Sequence, residues 1–235
     1  MSLLELEGIT KRIREGQREK TLLHEVSLSI RSGELVLLWG ERRSGKTSLL
    51  RIAAGLERPD AGTVRFDGSE QTDRHSSLGE GIGYVRKSLR PEEEQGVLEE
   101  VAAPLLACGM HGPEASERAR VALARVSAES CAGVRVDELG AGERIRVALA
   151  RTLALSPKLL IVDEPTAAVE LAERDSVLAL LRRLSADGVA VFAATAEPAE
   201  LAGAHRALTL SDGRLRGRAT SELASVHELH RRATG

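Results

Sequence analysis

The apolar positions of this chain fall into short, separated groups whose spacing changes from one part to the next. Leu4, Leu6 and Ile9 alternate weakly with polar residues, then residues 11–20 are densely charged and read as an exposed hairpin or loop. Val26, Leu28 and Ile30 alternate strictly, the period-2 pattern of a half-buried strand. Residues 35–38 are an almost unbroken apolar run, as a central parallel strand requires. A helix-compatible stretch follows at 48–54, then a turn cluster at 58–62 and short strands at 63–66 and 82–85. From Pro91 to about Val136 the strand pattern stops. Residues 97–107 and 113–126 read there as two helices separated by Gly109 and Gly112. A long helix is expected from Gly142 to just before Ser156-Pro157, with Ile145, Leu149 and Leu153 at helical spacing. Two more buried strands (159–162 and 189–194) flank a helix at 171–186. A hairpin turns at Ser211-Asp212-Gly213, and residues 220–232 read as a terminal helix. Strands alternating with helices imply an α/β core with a largely parallel sheet.

Composition narrows the classes without choosing among them. The 235 residues are 42% hydrophobic and 29% charged, a globular balance, and suffice for one large domain or a domain with an inserted subdomain. A net charge of -2 argues against nucleic-acid binding through bulk charge, and 2% aromatic residues leave little for base stacking. No run approaches the roughly 20 apolar residues of a membrane span, and the first residues lack a secretion signal. Any action at a membrane is therefore expected through a partner. Cys108 and Cys131 read as small apolar residues in a reducing compartment. The six histidines show no metal-ligand spacing beyond an i, i+3 pair, His227 and His230.

The chemistry gathers at two places. Gly40, followed after four residues by Gly45-Lys46-Thr47, comes straight after a strand and straight before a helix. That is the setting in which a phosphate-binding loop is believed, because curled backbone N–H groups and a helix N-terminus converge on one anion. Gly40, Arg43, Ser44, Gly45, Lys46, Thr47 and Ser48 are the nucleotide-binding candidates, with Lys46 on the β- and γ-phosphates and Thr47 on Mg²⁺. The second place is Asp163-Glu164-Pro165-Thr166, two carboxylates closing a buried strand. Asp163 is placed to hold Mg²⁺, and Glu164 to act as general base on the attacking water. Arg42 and Arg43 read equally as a solvated face or as extra anion contacts, and Trp39 as core.

About twenty residues upstream of Asp163 stands Leu139-Gly140-Ala141-Gly142-Glu143, leading into a helix. With the phosphate loop before it and Asp-Glu-Pro-Thr after it, the chain resembles the nucleotide-binding subunit of ABC transporters over nearly its whole length. Residues 101–106 look like the lipoprotein-release, macrolide-efflux and cell-division branch of that family. The resemblance implies a P-loop NTPase, RecA-like core with a parallel sheet, an N-terminal antiparallel β subdomain and an inserted α-helical subdomain. Core and β subdomain would occupy residues 1–87 and 138–235, the helical subdomain 88–137. It also implies two subunits facing head to tail with ATP and Mg²⁺ between them. The phosphate loop of one would meet Gly140, Ala141, Gly142 and Glu143 of the other. A membrane permease is the implied partner and the inner face of the cell membrane the implied location. No nucleic-acid partner is expected, and a soluble repair or translation factor would need a second ATPase domain or long coiled coil that this chain lacks.

The departures from the family pattern matter most. Its signature serine falls at Gly140, its Mg²⁺-touching glutamine at Lys87, its switch histidine at Ala196 and its adenine-stacking aromatic at Ile13. Arg43 replaces the middle glycine of the phosphate loop, and Glu170 stands where an aspartate is usual. A lysine ammonium only donates, so Lys87 cannot ligate Mg²⁺, though it can pair with a γ-phosphate. The groups that cradle nucleotide are present and those that sense the γ-phosphate are reduced. ATP hydrolysis is accordingly expected to be weak or to depend on a partner.

Overall fold

The computed structural model describes residues 2–16, 18–71, 81–86 and 95–219. Its strands are β1 (Ser2–Glu15), β2 (Arg18–Arg31) and β3 (Leu35–Trp39), followed by helix α1 (Lys46–Ala53). Next come β4 (Ala61–Phe66), β5 (Ser69–Glu70) and β6 (Ile82–Val85), then helices α2 (Val97–Ala107) and α3 (Gly112–Arg125). Helix α4 (Ala141–Leu153), β7 (Leu159–Asp163), α5 (Leu171–Ala186) and β8 (Ala190–Thr195) complete the middle. The hairpin β9 (Arg206–Ser211) and β10 (Arg214–Ala219) ends the described chain.

Two sheets result. One is antiparallel in the order β2-β1-β4-β5, and the other runs β10-β9-β3-β8-β7-β6. In the second sheet β9, β3, β8, β7 and β6 are mutually parallel and only β10 is antiparallel to its neighbour. Of the two readings of the charged stretch 11–20, the structure shows the hairpin. It continues the β1–β2 ladder, with Ile13 opposite Lys20, because cross-strand hydrogen bonds hold backbone whatever the side-chain polarity.

The main sheet buries both faces, and the period-2 geometry of its strands divides the apolar residues between two cores. Val36 and Leu38, with Ile161 and Phe192, face α1 and the inner surface of the antiparallel sheet. Leu35 and Leu37, with Leu160, Val162 and Val191, face the layer formed by α2 to α5. All five residues of β7 and all six of β8 are buried, which explains why these strands read as continuous apolar runs. Each Leu or Ile fully withdrawn from water contributes roughly 1.5–3 kcal/mol.

Smaller differences from the sequence reading have local causes. Helix α1 begins at Lys46, two residues before the apolar stretch, because Leu49 N–H already bonds the Gly45 carbonyl at 2.9 Å. Cys108 is exposed rather than packed, since it caps the end of α2. The expected helix at 220–232, Lys87, Glu92-Glu93-Glu94, His75, His227 and His230 lie outside the described residues.

Candidate functional site

The site is built at the C-terminal ends of three adjacent strands. Strand β8 lies between β3 and β7, so the loop leaving β3 and the carboxylates closing β7 face each other across one strand. This is where open α/β sheets place ligands.

The loop from Gly40 to Gly45 is tight. A Cβ on Gly40 would lie 2.6 Å from both the Leu210 carbonyl and Ser44 Oγ, so glycine is required there. Gly45 has φ 103 and caps α1 in the left-handed region. Arg43 has φ 65, also left-handed, in a region where only glycine sits without steric cost. The loop therefore keeps its left-handed turn with an arginine in it, and the guanidinium is exposed. No side chain caps α1 and its first turn contains no acid, so its N-terminal N–H groups are left for an anion.

Lys46 is 4% exposed, and its ammonium donates to the carbonyls of Gly40 (2.6 Å) and Glu41 (3.0 Å). It also pairs with Glu164 Oε1 at 3.4 Å. Thr47 Oγ1 donates to Asp163 Oδ2 at 2.9 Å. Glu164 sits at φ 46, and its N–H bonds the Ala194 carbonyl at 3.1 Å, which fastens the loop after β7 to β8. The structure thus brings Lys46, Thr47, Asp163 and Glu164 into one constellation. The Thr47 hydroxyl and Asp163 carboxylate are hard oxygen donors, the set suited to a Mg²⁺ ion shared with substrate phosphates. Burial, and secondly the Asp163 charge, push the phenol of nearby Tyr84 above its ordinary value.

The stretch Gly140–Glu143 is not part of that constellation. Gly140 is the N-cap of α4 and has no side chain to offer. Glu143 reaches back instead, and its Oε2 accepts from Gly140 N–H at 2.9 Å. Its Oε1 takes the Cys131 thiol at 3.7 Å, and burial followed by the Glu143 charge raises that thiol's pKa. Gly142 is buried and Ala141 half-buried. Ile13 is half-buried on β1. Ala196 is exposed and presents only a methyl, while its carbonyl accepts Trp39 Nε1–H at 3.2 Å.

One group here was not found from sequence. Glu200, in the turn Pro198–Leu201 after β8, is 6% exposed. Its Oε2 accepts the hydroxyls of Thr195 (2.6 Å) and Thr166 (2.9 Å). It links the loop after β7 to the end of β8. No spacing rule finds such a clasp, because its members lie on two loops and one strand end.

A cleft of about 530 Å³ opens beside the phosphate loop, between Lys20 and Thr21 of β2, residues 41–44, and the turn Ser211–Gly213.

Comparison with known proteins bears on the whole arrangement. The family model described as ABC transporter matches residues 23–167. The lipoprotein-releasing system ATP-binding protein LolD of Chromohalobacter salexigens is 38% identical over 219 residues, covering 91% of this chain and 92% of that protein. A macrolide export ATP-binding/permease protein, MacB 1/2 of Paracoccus denitrificans, is 32% identical over 91% of this chain, which spans only 33% of that longer protein. Among solved structures, the dimeric bacterial ABC transporter cassette MJ0796 superposes with a TM-score of 0.83 at 28% identity, covering 92% of this chain and 98% of that one. The same cassette in a dimeric post-hydrolysis state bound to ADP and Pi superposes equally well. Among the described residues, no helix is long and apolar enough to cross a membrane.

Proposed function

The chain belongs to the ABC transporter family, and from that premise we propose that it is the ATP-binding subunit of a transporter, coupling Mg–ATP binding to a membrane permease. One observation carries the reading. Lys46 and Thr47, on consecutive positions of α1, reach Glu164 and Asp163 across β8. In this reading Lys46 exchanges loop carbonyls and the Glu164 carboxylate for the β- and γ-phosphates. Thr47, with Asp163 directly or through water, holds Mg²⁺, which neutralises charge on the phosphate oxygens when bound. Glu164 orients water and takes its proton. Backbone N–H groups of residues 43–48 cradle the phosphates.

The start of α4, Gly140 to Glu143, serves a partner subunit's γ-phosphate. The dimeric cassette among the solved relatives supports that pairing. We assign residues 1–87 and 138–235 to the ATPase core with its β subdomain, and 88–137 to a helical subdomain that meets the permease at the inner face of the membrane.

A second reading has its own observation. Gly140 and Ala196 offer no polar side chain, so this chain binds ATP and clamps against a competent partner that does the hydrolysis. One missing charge-assisted hydrogen bond is worth roughly 1.5–3 kcal/mol. Titrating the chain with Mg–ATP tests the common part: ATP protects it against unfolding and Lys46→Ala abolishes the protection. Comparing Glu164→Gln with wild type in the assembled complex separates the two. Lost turnover identifies a hydrolysing subunit, unchanged turnover a clamp. The isolated chain is expected to turn over slowly, and fast turnover abolished by Glu164→Gln would refute the clamp.

A further inference from the structure

We propose that Glu200 is a positioning residue for Glu164: it holds the loop after β7 so that the Glu164 carboxylate stays where hydrolysis needs a base. The inference rests on the ATP-binding reading above, taken with hydrolysis at this chain's own site, and adds a residue that controls that step.

The backbone of Glu164 is the first observation. Its φ of 46 lies in the left-handed region, where a residue with a Cβ carries strain. Pro165 follows and restricts the backbone before it further. Such a conformation persists only where the surroundings impose it. Two tethers do so, one to β8 and one to the turn that follows β8. The Glu164 N–H bonds the Ala194 carbonyl at 3.1 Å. Two residues on, the Thr166 hydroxyl donates to Glu200 Oε2 at 2.9 Å. The segment between is wound into a compact turn, with Ala167 N–H on the Glu164 carbonyl (3.2 Å) and Val169 N–H on the Thr166 carbonyl (3.1 Å). A shift at Thr166 is therefore passed to Glu164.

The mounting of Glu200 is the second observation. The same Oε2 accepts the Thr195 hydroxyl at 2.6 Å, and Thr195 Oγ1 accepts the Glu197 N–H at 2.9 Å. The Glu200 N–H closes on the Glu197 carbonyl at 3.2 Å, and Trp39 Nε1–H holds the Ala196 carbonyl from β3. The carboxylate thus stands on a turn fixed to β8 and β3, and reaches across to the loop that carries Glu164.

The third observation is the cost of this arrangement. Glu200 is 6% exposed, and none of the ion pairs among the described residues includes it. Its Oε1 has no hydrogen-bond partner among them. A buried carboxylate without a cation is an expensive way to satisfy two hydroxyls, and stability alone would favour a neutral side chain. Local rules are broken in this way where function requires it.

The test is single-turnover hydrolysis of Mg–ATP by the full chain in excess, read against Glu164→Gln, with calorimetry for affinity. Glu200→Ala should lower the Glu164-dependent rate by about tenfold or more and leave Mg–ATP affinity within about twofold, since Lys46 and Thr47 are untouched. Glu200→Gln keeps an acceptor oxygen and should hold the rate within about threefold of wild type. Thr166→Val removes the same bond from the loop side. It should match alanine, decide the matter if Glu200→Ala does not fold, and add less than about twofold to Glu200→Ala when combined with it. Amide hydrogen exchange in the nucleotide-free chain gives a readout independent of turnover. Exchange at Glu164 and Ala167 should quicken by about tenfold in Glu200→Ala and Thr166→Val, while Leu49 in α1 keeps its rate. A Glu164-dependent rate within about twofold of wild type in both variants overturns the proposal, as does equal quickening at Leu49, which marks general loosening. A wild-type rate no higher than that of Glu164→Gln overturns the hydrolysing reading and this proposal with it, while the calorimetric affinity judges ATP binding separately.

Discussion

Replacing Glu200 by alanine tests the network that fixes the loop after β7. The carboxylate is buried, and one oxygen accepts two hydroxyls that are themselves buried, Thr166 and Thr195 each being 3% exposed. Alanine orphans the Thr166 hydroxyl, at about 1–3 kcal/mol, and leaves the Thr195 hydroxyl only its longer bond to the Glu197 carbonyl at 3.4 Å. Against this, a buried carboxylate no longer has to be kept from water, which returns part of the cost. The net expectation is about 2 kcal/mol of destabilisation. Glu200→Gln keeps an acceptor oxygen for the same two hydroxyls, so it should cost about 1 kcal/mol less than alanine. Urea unfolding followed by the fluorescence of the single tryptophan measures both, and an unchanged slope with a shifted midpoint assigns the effect to stability. A double-mutant cycle pairing Glu200→Ala with Thr195→Val should give a coupling of about 1–2 kcal/mol. A loss below about 0.5 kcal/mol for alanine, or equal losses for alanine and glutamine, would refute the clasp.

Other expectations follow from the same site. Thr47→Val should narrow the difference in ATP affinity with and without Mg²⁺ by about tenfold, read by calorimetry. An undiminished Mg²⁺ effect would remove Thr47 from the metal's ligands. Burial and Asp163 hold the Tyr84 phenol above its ordinary 10.0, so above that pH the unfolded chain loses a proton the folded chain keeps. The Tyr84 contribution to stability is constant below pH 10 and falls as pH rises beyond it, and Tyr84→Phe should flatten that fall in alkaline urea titrations. Of the two thiols, exposed Cys108 should react with a maleimide at once. Cys131, buried and shifted upward, should react only on unfolding. Two fast thiols per folded chain would contradict the packing at Glu143.

Much of this arrangement was legible in the residues. The apolar run before Gly40 and the glycine spacing announced strand, loop and helix together, because each constrains the backbone locally. Asp163-Glu164 closing an apolar run announced its end of the sheet in the same way. The branch suggested by residues 101–106 agrees with the lipoprotein-releasing and macrolide-export relatives. What escaped was the non-local part. Charged residues 11–20 left hairpin and loop both open, because a ladder needs backbone partners rather than apolar side chains. Glu200 gave no signal, because its partners come from elements joined only by the fold. The left-handed φ of Arg43 is visible only in three dimensions, although the missing glycine pointed to it.

The order β3-β8-β7 also works as a ruler. Adjacent strands lie about 4.8 Å apart, so the ends of β3 and β7 stand roughly 9–10 Å apart with the end of β8 as the floor between them. That gap is too wide for the two loop backbones to touch, and narrow enough for one lysine and one threonine to span. The floor is fixed by backbone pairing, Ala193 and Ala194 lying opposite Val162 and Asp163 on one side and Leu37 and Leu38 on the other. The width available to a phosphate group is therefore set by strand count, through residues that need not themselves bind it.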